Sequence, residues 1–507
     1  MNENNRIFWE VYGCEMNKSQ ANSLREYLEN NGYVTSENIS DSDFVLIYTC
    51  SVRYSAEQRA YGRLHYFKYL KKTINKNLKV ILLGCLGEQD KNQLIDKKLV
   101  DVVLGTINQQ AVLSYLELIS KNSNNFAKNL IDNKIKAIAE VRSDADKDEL
   151  IRNIKAEAEV RSENRKDLKD SEVKGKIKVS KERIFNNIID ETFHDYRNIE
   201  FLKSTMDPSY PFRSYVTIIH GCSNFCTYCI VPYLRGREVS RSSDEILEEI
   251  KDLKDHGANE IILLGQNVNA YGKDNSQIPF SKLLEKIAMI DGIELISFLS
   301  SHPKDFTDDL IDVVSGLPNI SKLVHLPLQS GCDKILDRMN RKYTVSQYLS
   351  IVEKLKKKNE NIQFSTDIIV GFPGESEEDF RETLNIINKV RFMDIFSYKY
   401  SERKRGNIQY SDDVNDGVKS ERLTRLIREK ERIALEIRKS QIGKTKRALI
   451  IEKSRDADDE MLLKSIDGFH GVLKLNVAAG NLVTIKIVGI SGKTLICQPI
   501  EAKEAIC

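Results

Sequence analysis

Apolar runs of strand length alternate with polar stretches of helix length over the first 120 residues. The apolar runs predict strands at 7–12, 44–48, 80–83 and 102–104, and the polar stretches predict helices at 16–30 and 54–72. This alternation is typical of an open parallel sheet with crossover helices. The first part of the chain is therefore expected to be an open parallel α/β domain.

The same alternation resumes near residue 210 and continues for six units. Strands are predicted at 215–219, 260–264, 295–299, 323–328, 364–370 and 395–400, and helices at 243–256, 280–289, 306–315, 345–358 and 377–390. Eight such units would close a TIM barrel, so six predict a partial, TIM-like (β/α)6 barrel. Functional side chains are then expected just after the strands.

The last ninety residues have a different pattern. Residues 419–442 predict a basic helix that ends at Gly443, and short β-rich runs follow at 447–452, 461–464, 471–475, 482–488 and 494–498. Five short strands in about sixty residues predict a small, OB-like β-barrel. The basic helix beside it is expected to contact RNA phosphates, although many basic helices are only solvated faces.

Residues 121–200 interrupt both patterns. The segment is charged and poor in aromatic residues, and it contains two similar nine-residue copies at 135–143 and 154–162. Two copies are too few for a solenoid, so a solvated linker is predicted. The chain is therefore divided into an α/β domain at 1–120, an insertion at 121–200, a barrel domain at 201–440 and a small β-barrel at 441–504.

Composition restricts the compartment more than the partners. The chain has 507 residues and a formal net charge of +2, which gives no nucleic-acid signal for the chain as a whole. No signal-peptide pattern and no apolar run long enough to span a bilayer is found, so a cytoplasmic protein without a membrane partner is expected. Cysteines there stay reduced and are more often metal ligands than disulfides.

Three cysteines lie close together after the first barrel strand. Cys222, Cys226 and Cys229, here called the loop triad, follow the pattern C-x3-C-x2-C. One short loop can hold three corners of a [4Fe-4S] cluster in this way and leave the fourth iron open for S-adenosylmethionine. The alternative is a zinc site completed by His220, but structural zinc sites usually pair two C-x2-C steps and only one is present.

Three dispersed cysteines each follow a predicted strand of the first domain. Cys14, Cys50 and Cys85, here called the sheet triad, come directly after the first three apolar runs. The carboxyl ends of parallel strands share one edge, where ligand sites collect. A second cluster with an open iron is therefore predicted, against the alternative of three buried structural cysteines.

Other polar residues are predicted to contact cofactor or substrate at the barrel mouth. Gln266 and Asn267 follow one strand, and the alternative for them is a polar turn that satisfies its own backbone. Asp367 is expected to bind ribose hydroxyls or a basic barrel residue, or else to make a structural hydrogen bond. Arg237 is expected to meet a phosphate or carboxylate, and the alternative for it is a solvated surface charge. The remaining candidates are Gln329 after the fourth barrel strand and Tyr228 for the adenine ring.

The chain resembles the radical-SAM methylthiotransferases. It is most similar to the branch that makes 2-methylthio-N6-(dimethylallyl)adenosine in tRNA. The resemblance covers the whole chain except the insertion, and it rests on both cysteine triads and on the motifs at 221–233, 235–241, 264–269, 301–303, 326–331, 341–344 and 366–375.

The resemblance implies the reaction and its components. Each triad would hold a [4Fe-4S] cluster, with S-adenosylmethionine serving both as methyl donor and as radical source. The product would be a methylthio group on carbon 2 of the prenylated adenosine at position 37 of tRNAs that read codons beginning with uridine. The small β-barrel would be a TRAM domain that grips tRNA at the anticodon stem-loop. A reductant such as flavodoxin or ferredoxin is implied, and a monomer is expected.

The chain departs from the family pattern at two places, and three other functions are considered as rivals. The loop after Tyr400 and Ser401 lacks two prolines and a threonine that are common in the family, and His220 replaces an acidic residue. The rival substrates are threonylcarbamoyladenosine in tRNA and an aspartate of a ribosomal protein. A non-catalytic RNA-binding protein is the third rival, and the intact triads argue against it.

Overall fold

The computed structural model divides into two compact units. The described residues are 5–50, 54–105, 109–120, 201–275, 277–402, 410–454, 457 and 459–500. The first unit comprises Met1–Glu10, Tyr27–Ile47 and Arg63–Glu200, and the second comprises Val11–Glu26, Tyr48–Gly62 and Phe201–Cys507. The 121–200 insertion and most of the altered loop after Ser401 lie outside the described residues.

The N-terminal strands form one five-stranded sheet in the order β2-β1-β3-β4-β5. Its elements are β1 (Arg6–Val11), α1 (Glu15–Asn30), β2 (Val34–Thr35), β3 (Phe44–Thr49), α2 (Tyr54–Thr73), β4 (Lys79–Gly84), α3 (Cys85–Asp96), β5 (Val102–Gly105) and α4 (Gln109–Ser120), with a 3-10 turn at Ile39–Asp41. The pairs β1–β2 and β4–β5 are parallel. Every residue of β3 is buried, as a central strand covered on both faces requires. The predicted open parallel α/β fold is confirmed.

Six parallel strands of the second unit follow the predicted barrel pattern. Its elements before the last helix are β6 (Met206–Asp207), β7 (Tyr210–Thr217), β8 (Ile219–His220), α5 (Val231–Arg235), β9 (Val239–Ser240), α6 (Ser243–Asp255), β10 (Glu260–Leu264), α7 (Phe280–Ala288), β11 (Leu295–Phe298), α8 (Asp308–Gly316), β12 (Leu323–His325), α9 (Asp333–Arg338), α10 (Val345–Lys358), β13 (Gln363–Val370), α11 (Glu377–Val390) and β14 (Asp394–Lys399). Two 3-10 turns lie at Val268–Ala270 and Pro303–Asp305.

The six strands form two sheets that a pair of backbone hydrogen bonds joins. One sheet contains β7, β10 and β11 with β6 at its edge, and the other contains β12, β13 and β14. The pairs β7–β10, β10–β11, β12–β13 and β13–β14 are all parallel. Between the sheets, Ile296 donates to the carbonyl of Asn319 and accepts from Ser321, each at 2.8 Å. The prediction of a partial (β/α)6 barrel is confirmed.

The C-terminal strands close on themselves as predicted. They are β15 (Thr445–Lys453), β16 (Met461–Ser465), β17 (His470–Leu473), β18 (Leu482–Ser491) and β19 (Thr494–Pro499), and they form a closed barrel in the order β15-β16-β17-β19-β18. Closure leaves no free sheet edge. The core residues of this barrel belong to the same apolar cluster as those of the larger barrel, so the two pack as one body within the second unit.

The basic helix α12 (Asp416–Lys439) has two buried cations, Lys419 and Arg422, and several others that form ion pairs within the chain. Buried Arg422 pairs with Glu375 at 2.8 Å, and buried Lys419 pairs with Asp412 at 2.5 Å. Ion pairs with acids of the barrel or of the helix itself also hold Arg425, Lys430 and Arg432. The expected use of this helix as a phosphate-binding face therefore gains no support from these five residues, because each is already paired with a carboxylate of this chain.

Within the described ranges, no helix is both long enough and apolar enough to cross a membrane.

Candidate active site

A short antiparallel ladder frames the loop triad. Strands β8 and β9 pair Ile219 with Ser240 and His220 with Val239. The two ends of the segment that carries the loop triad therefore lie next to each other. At the base of the loop, the Cys222 amide donates to the carbonyl of Gly236 at 3.1 Å. The loop triad therefore sits directly after the first barrel strands, where the sequence predicted it.

Gly221 occupies a position that no other residue fits. Its φ is +75°, and an added Cβ would lie 2.0 Å from the carbonyl oxygen of Arg237. The Gly221 amide donates to the side-chain oxygen of Gln266 at 2.5 Å. Gln266, which was predicted to contact cofactor or substrate, thus holds the cysteine loop to β10.

A second segment, residues 338–341, holds the far side of the loop. Thr227 donates from its amide to the carbonyl of Met339 and from its hydroxyl to that of Arg338. The Asn340 amide group donates to the carbonyl of Phe225 at 3.0 Å and, more weakly, to that of Asn224 at 3.3 Å. The loop is thereby fixed on both sides by residues from other parts of the barrel.

Hydrogen-bond donors already point at two of the three sulfurs. The Asn224 amide donates to Cys222 Sγ at 3.4 Å, and buried Arg341 donates to Cys226 Sγ at 3.6 Å. Cluster thiolates accept such bonds, and the bonds tune the reduction potential of the cluster. The donor set, three thiols in one loop with N–H groups aimed at their sulfurs, therefore fits a [4Fe-4S] cluster.

Burial favours the protonated form of two thiols of this loop, Cys222 and Cys229. It raises the pKa of Cys222 to about 11, and burial together with neighbouring Cys226 raises the pKa of Cys229 to about 12. Ligand thiols lose their protons when metal binds. The described residues contain no group of three or more His, Cys, Asp or Glu arranged around a single ion, and His220 hydrogen-bonds to the backbone of Arg235. The zinc alternative gains no support from this arrangement.

Residues with a strained backbone conformation cluster around the loop triad and the barrel mouth. Of the seven non-glycine residues with positive φ in the described part of the chain, five lie here: Phe225, Ser300, Gln329, Asn340 and Lys342. Such residues cost about 1–3 kcal/mol each and persist where the surroundings over-determine them. Gln329 is one of the predicted site residues, and its backbone bonds to β13 on both sides.

The other predicted site residues have well-defined surroundings. Asn267 is buried and donates to the side-chain carboxylates of Glu238 and Asp305, not to the backbone of its own turn. The Tyr228 hydroxyl accepts from Arg341 at 3.4 Å, and its ring packs on Phe372 and its neighbours. The roles predicted for these residues toward cofactor stay predictions.

Asp367 and Arg237 each contact an aromatic ring of another residue. Asp367 contacts His325 at 3.2 Å on the inner face of the barrel wall. Arg237 is exposed, and its guanidinium lies over the ring of Phe225, 5.5 Å from the centroid. Their predicted roles toward ribose and phosphate stay predictions as well.

Two members of the sheet triad belong to the second unit. Cys14 and Cys50 follow β1 and β3, and an added Cβ at Gly13 would lie 2.6 Å from Cys50 Cβ, so the two loops touch. Cys14 also packs with Met16 against Ile262 and Leu264 of the barrel. Cys85 opens α3 directly after β4, and its participation with the other two stays a prediction.

Sequence reasoning missed the residues that hold these cysteines in place. Arg341 and Arg235 were noticed only within family motifs, and Asn17 was given no role. A weak signal exists for Asn17, which is a polar residue in the first turn of the helix that follows Cys14. No pattern indicated Arg341, because 115 residues separate it from the cysteine it contacts.

Comparisons with known proteins agree with this geometry. Residues 216–387 match the radical SAM superfamily, and residues 6–105 match the uncharacterized protein family UPF0004. A radical S-adenosylmethionine methyltransferase, TsrM, from Kitasatospora setae shares the fold with a TM-score of 0.50 at 10% identity over 78% of this chain and 72% of that one.

Curated relatives match nearly the whole chain. The tRNA-2-methylthio-N(6)-dimethylallyladenosine synthase of Clostridium botulinum strain Okra is 34% identical over 97% of both chains. That of Finegoldia magna is 36% identical over 97% of this chain and 94% of its own. That of Thermoanaerobacter pseudethanolicus is 38% identical over 87% of this chain and 81% of its own. The chain therefore belongs, within the radical SAM superfamily, to the family of the tRNA-2-methylthio-N(6)-dimethylallyladenosine synthases.

Proposed function

We propose that this protein methylthiolates carbon 2 of N6-(dimethylallyl)adenosine at position 37 of tRNAs that read codons beginning with uridine. Family membership confirms the predicted enzyme class, a radical-SAM tRNA methylthiotransferase, and the predicted cofactors, S-adenosylmethionine and [4Fe-4S] clusters. The observation that carries the proposal is this near-full-length similarity in a chain that has both cysteine triads after strands.

We assign the loop triad to the cluster that binds S-adenosylmethionine and the sheet triad to the cluster that holds sulfur. When bound, S-adenosylmethionine and a reduced cluster supply a radical that removes hydrogen from carbon 2, and the methylthio group replaces it. The chain's own part is to hold the loop triad rigid and aimed at the barrel interior. Gln266, Asn340 and Arg341 support that part through the hydrogen bonds that fix the loop.

Strands β13 and β14 of the barrel wall offer an apolar face for the base. In the parallel register Asp367 pairs with Phe396, and Ile369 pairs with Tyr398, so these side chains share one face. The other face of β13 is packed in the core, which leaves this one for the barrel interior. Phe396 and Tyr398 are 43% and 37% exposed, which is unusual for large aromatic residues inside a fold.

The chemistry of this wall favours the prenylated base over its rival. Aromatic rings stack on a flipped purine and contact a neutral dimethylallyl group without desolvating a charge. A threonylcarbamoyl group would instead bring a carboxylate close to Asp367, and like charges there are unfavourable. We therefore propose the dimethylallyl substrate rather than the threonylcarbamoyl one.

The finer assignments of partners and domains also belong to this proposal. We infer that the anticodon stem-loop is the bound part of the tRNA, because a base is extruded there more cheaply than from a duplex. Flavodoxin or ferredoxin is the proposed reductant. The division at 1–120, 121–200, 201–440 and 441–504, the monomeric state and the cytoplasmic location stay predictions.

One experiment tests the function directly. The enzyme, reconstituted anaerobically, is expected to hold about eight irons, four for each triad. It should convert tRNA that carries N6-(dimethylallyl)adenosine to the 2-methylthio nucleoside, as read by mass spectrometry, and a deletion strain should lack that nucleoside. Tests on tRNA with threonylcarbamoyladenosine and on ribosomal protein cover the rivals. Unchanged methylthio nucleosides in the deletion strain would contradict the proposal.

Replacing Phe396 by Ala should weaken use of the prenylated tRNA. Base stacking on an aromatic ring contributes about 1–3 kcal/mol, so kcat/KM is expected to fall about 5- to 150-fold. The iron content should not change, because Phe396 touches neither triad. Tyr69→Ala is the matched control, since Tyr69 is an exposed aromatic residue of α2. Equal kcat/KM values for Phe396→Ala and wild type would show that this wall does not bind the base.

A further inference from the structure

Asn17 is a completely buried polar side chain that holds two cysteine loops together. Its exposed fraction is 0%. The amide nitrogen donates to the carbonyl of Tyr12 at 3.1 Å and to that of Thr49 at 2.9 Å. Tyr12 lies two residues before Cys14, and Thr49 lies directly before Cys50. One amide group therefore fixes the backbone that carries two members of the sheet triad.

The space around this amide is already filled. Gly13 has a φ of +136°, and an added Cβ would lie 2.7 Å from the Asn17 amide nitrogen as well as 2.6 Å from Cys50 Cβ. No methyl group fits between these loops. The relative position of Cys14 and Cys50 is therefore set by direct contact and by the two Asn17 hydrogen bonds.

Arg235 connects the same amide to the loop triad. Its guanidinium Nη2 donates to the Asn17 side-chain oxygen at 3.2 Å, and the residue is only 3% exposed. Arg235 is the last residue of α5, the helix that begins two residues after Cys229. Its backbone hydrogen-bonds to His220, two residues before Cys222. Arg235 therefore contacts the segment that precedes the loop triad and belongs to the helix that follows it.

We propose that Asn17 and Arg235 are positioning residues that set the separation between the Cys14 and Cys50 loops, which carry two members of the sheet triad, and the loop triad. The inference rests on the proposed function, in which the carbon radical made beside one cluster takes up sulfur held at the other. Such a transfer needs the two groups in near-contact geometry, and a misplacement of about 1 Å can cost a factor of about 100. The hydrogen bond between Asn17 and Arg235 directly connects the segment that follows Cys14 with the helix that follows Cys229.

Other contacts keep the Cys14 segment in place when this link is cut. Met16 packs on Ile262 and Leu264, and its sulfur lies 3.5 Å from the Thr217 hydroxyl. The Ser19 hydroxyl donates to the carbonyl of Tyr215 at 3.4 Å. A change at Asn17 is therefore expected to loosen the loops without removing the segment from the barrel.

Asn17→Ala tests the inference by separating radical formation from sulfur transfer. The variant should keep about eight irons and should cleave S-adenosylmethionine at the wild-type rate, since both clusters are intact. Methylthio product should fall about 100-fold, so the ratio of 5′-deoxyadenosine to product should rise by the same factor. The magnetic interaction between the two reduced clusters in the EPR spectrum should also weaken, because it depends steeply on their separation.

Arg235 provides a second pair of variants. Arg235→Met removes the donor and should reproduce the raised ratio, whereas Arg235→Lys keeps a charged donor and should restore part of the coupling. The matched control is Asn319→Ala. The Asn319 amide nitrogen also donates to two carbonyls, those of Ala288 at 2.9 Å and Ile293 at 3.3 Å, but at the opposite end of the barrel. That variant should lose comparable stability and leave the ratio unchanged.

Three results would overturn the inference. A fully loaded Asn17→Ala enzyme with an unchanged ratio and an unchanged EPR interaction would show that the link does not set the separation. A loss of about four irons would make Asn17 part of the cluster-binding fold instead. A wild-type enzyme that makes no methylthio product would refute the proposed function itself, which the wild-type assay reveals before any variant is compared.

Discussion

Cys50→Ala will abolish methylthio transfer while cleavage of S-adenosylmethionine continues, and Cys226→Ala will abolish both. The reason is the different position of the two triads. Cys226 lies in the loop at the barrel mouth, where Arg341 donates to its sulfur, whereas Cys50 lies at the end of β3 beside Cys14. Each variant should retain about four irons, because only one cluster loses a ligand. The measurements are iron content, 5′-deoxyadenosine and methylthio nucleoside.

A third cysteine supplies the control for this experiment. Cys497 is a buried thiol in β19 of the small β-barrel and belongs to neither triad. Cys497→Ala should cost about 1 kcal/mol in the free energy of unfolding and leave about eight irons in place. If Cys50→Ala stopped the cleavage of S-adenosylmethionine as well, the proposed division of labour between the triads would be wrong.

Much of the barrel could be predicted because its local signals agree with its tertiary structure. Helices α10 and α11 begin and end at the predicted residues, and each starts with a capping box, at Thr344 and at Ser376. A capping box satisfies free amides through residues three apart, so the sequence alone records it. Strand β10 was also placed correctly, since all five of its residues are apolar or buried.

The elements that were placed incorrectly are those whose bounds depend on pairing with other parts of the chain. Strand β7 begins at Tyr210 rather than at residue 215, because Ser214 and Tyr210 pair with β6, a strand of two residues. Such a short strand has no periodicity to detect. Likewise, the basic helix α12 suggested an RNA contact from composition, but Arg422 is only 4% exposed and its charge is paired with Glu375. Composition cannot tell an internal ion pair from a free cation.

In the candidate site, too, some features could be predicted from the sequence and others could not. Spacing identified the cysteines because three ligands in eight residues constrain the chain locally. It could not identify the Asn17–Arg235 contact, in which 218 residues separate the partners. It also placed Gln266 at the barrel mouth but not its role, because the bond to the Gly221 amide depends on how β8 and β10 pack. The cysteine ligands could therefore be predicted from the sequence, whereas the residues that hold their loops in place could not.

Replacing Gly221 tests whether the residues that support the loop triad are needed for the cluster to bind. Gly221→Ala should empty the loop triad while leaving the sheet triad loaded, so about four irons should remain and neither 5′-deoxyadenosine nor methylthio product should form. An alanine Cβ would meet the Arg237 carbonyl oxygen at 2.0 Å, and because that oxygen is backbone, the loop itself must move. Gly257→Ala is the matched control: its φ is +102°, but nothing lies within 4 Å of the added Cβ. It should cost only the left-handed conformation, about 1–2 kcal/mol, and keep full activity. Equal loss of iron in both variants would mean that backbone conformation, rather than the close approach at Arg237, limits the site.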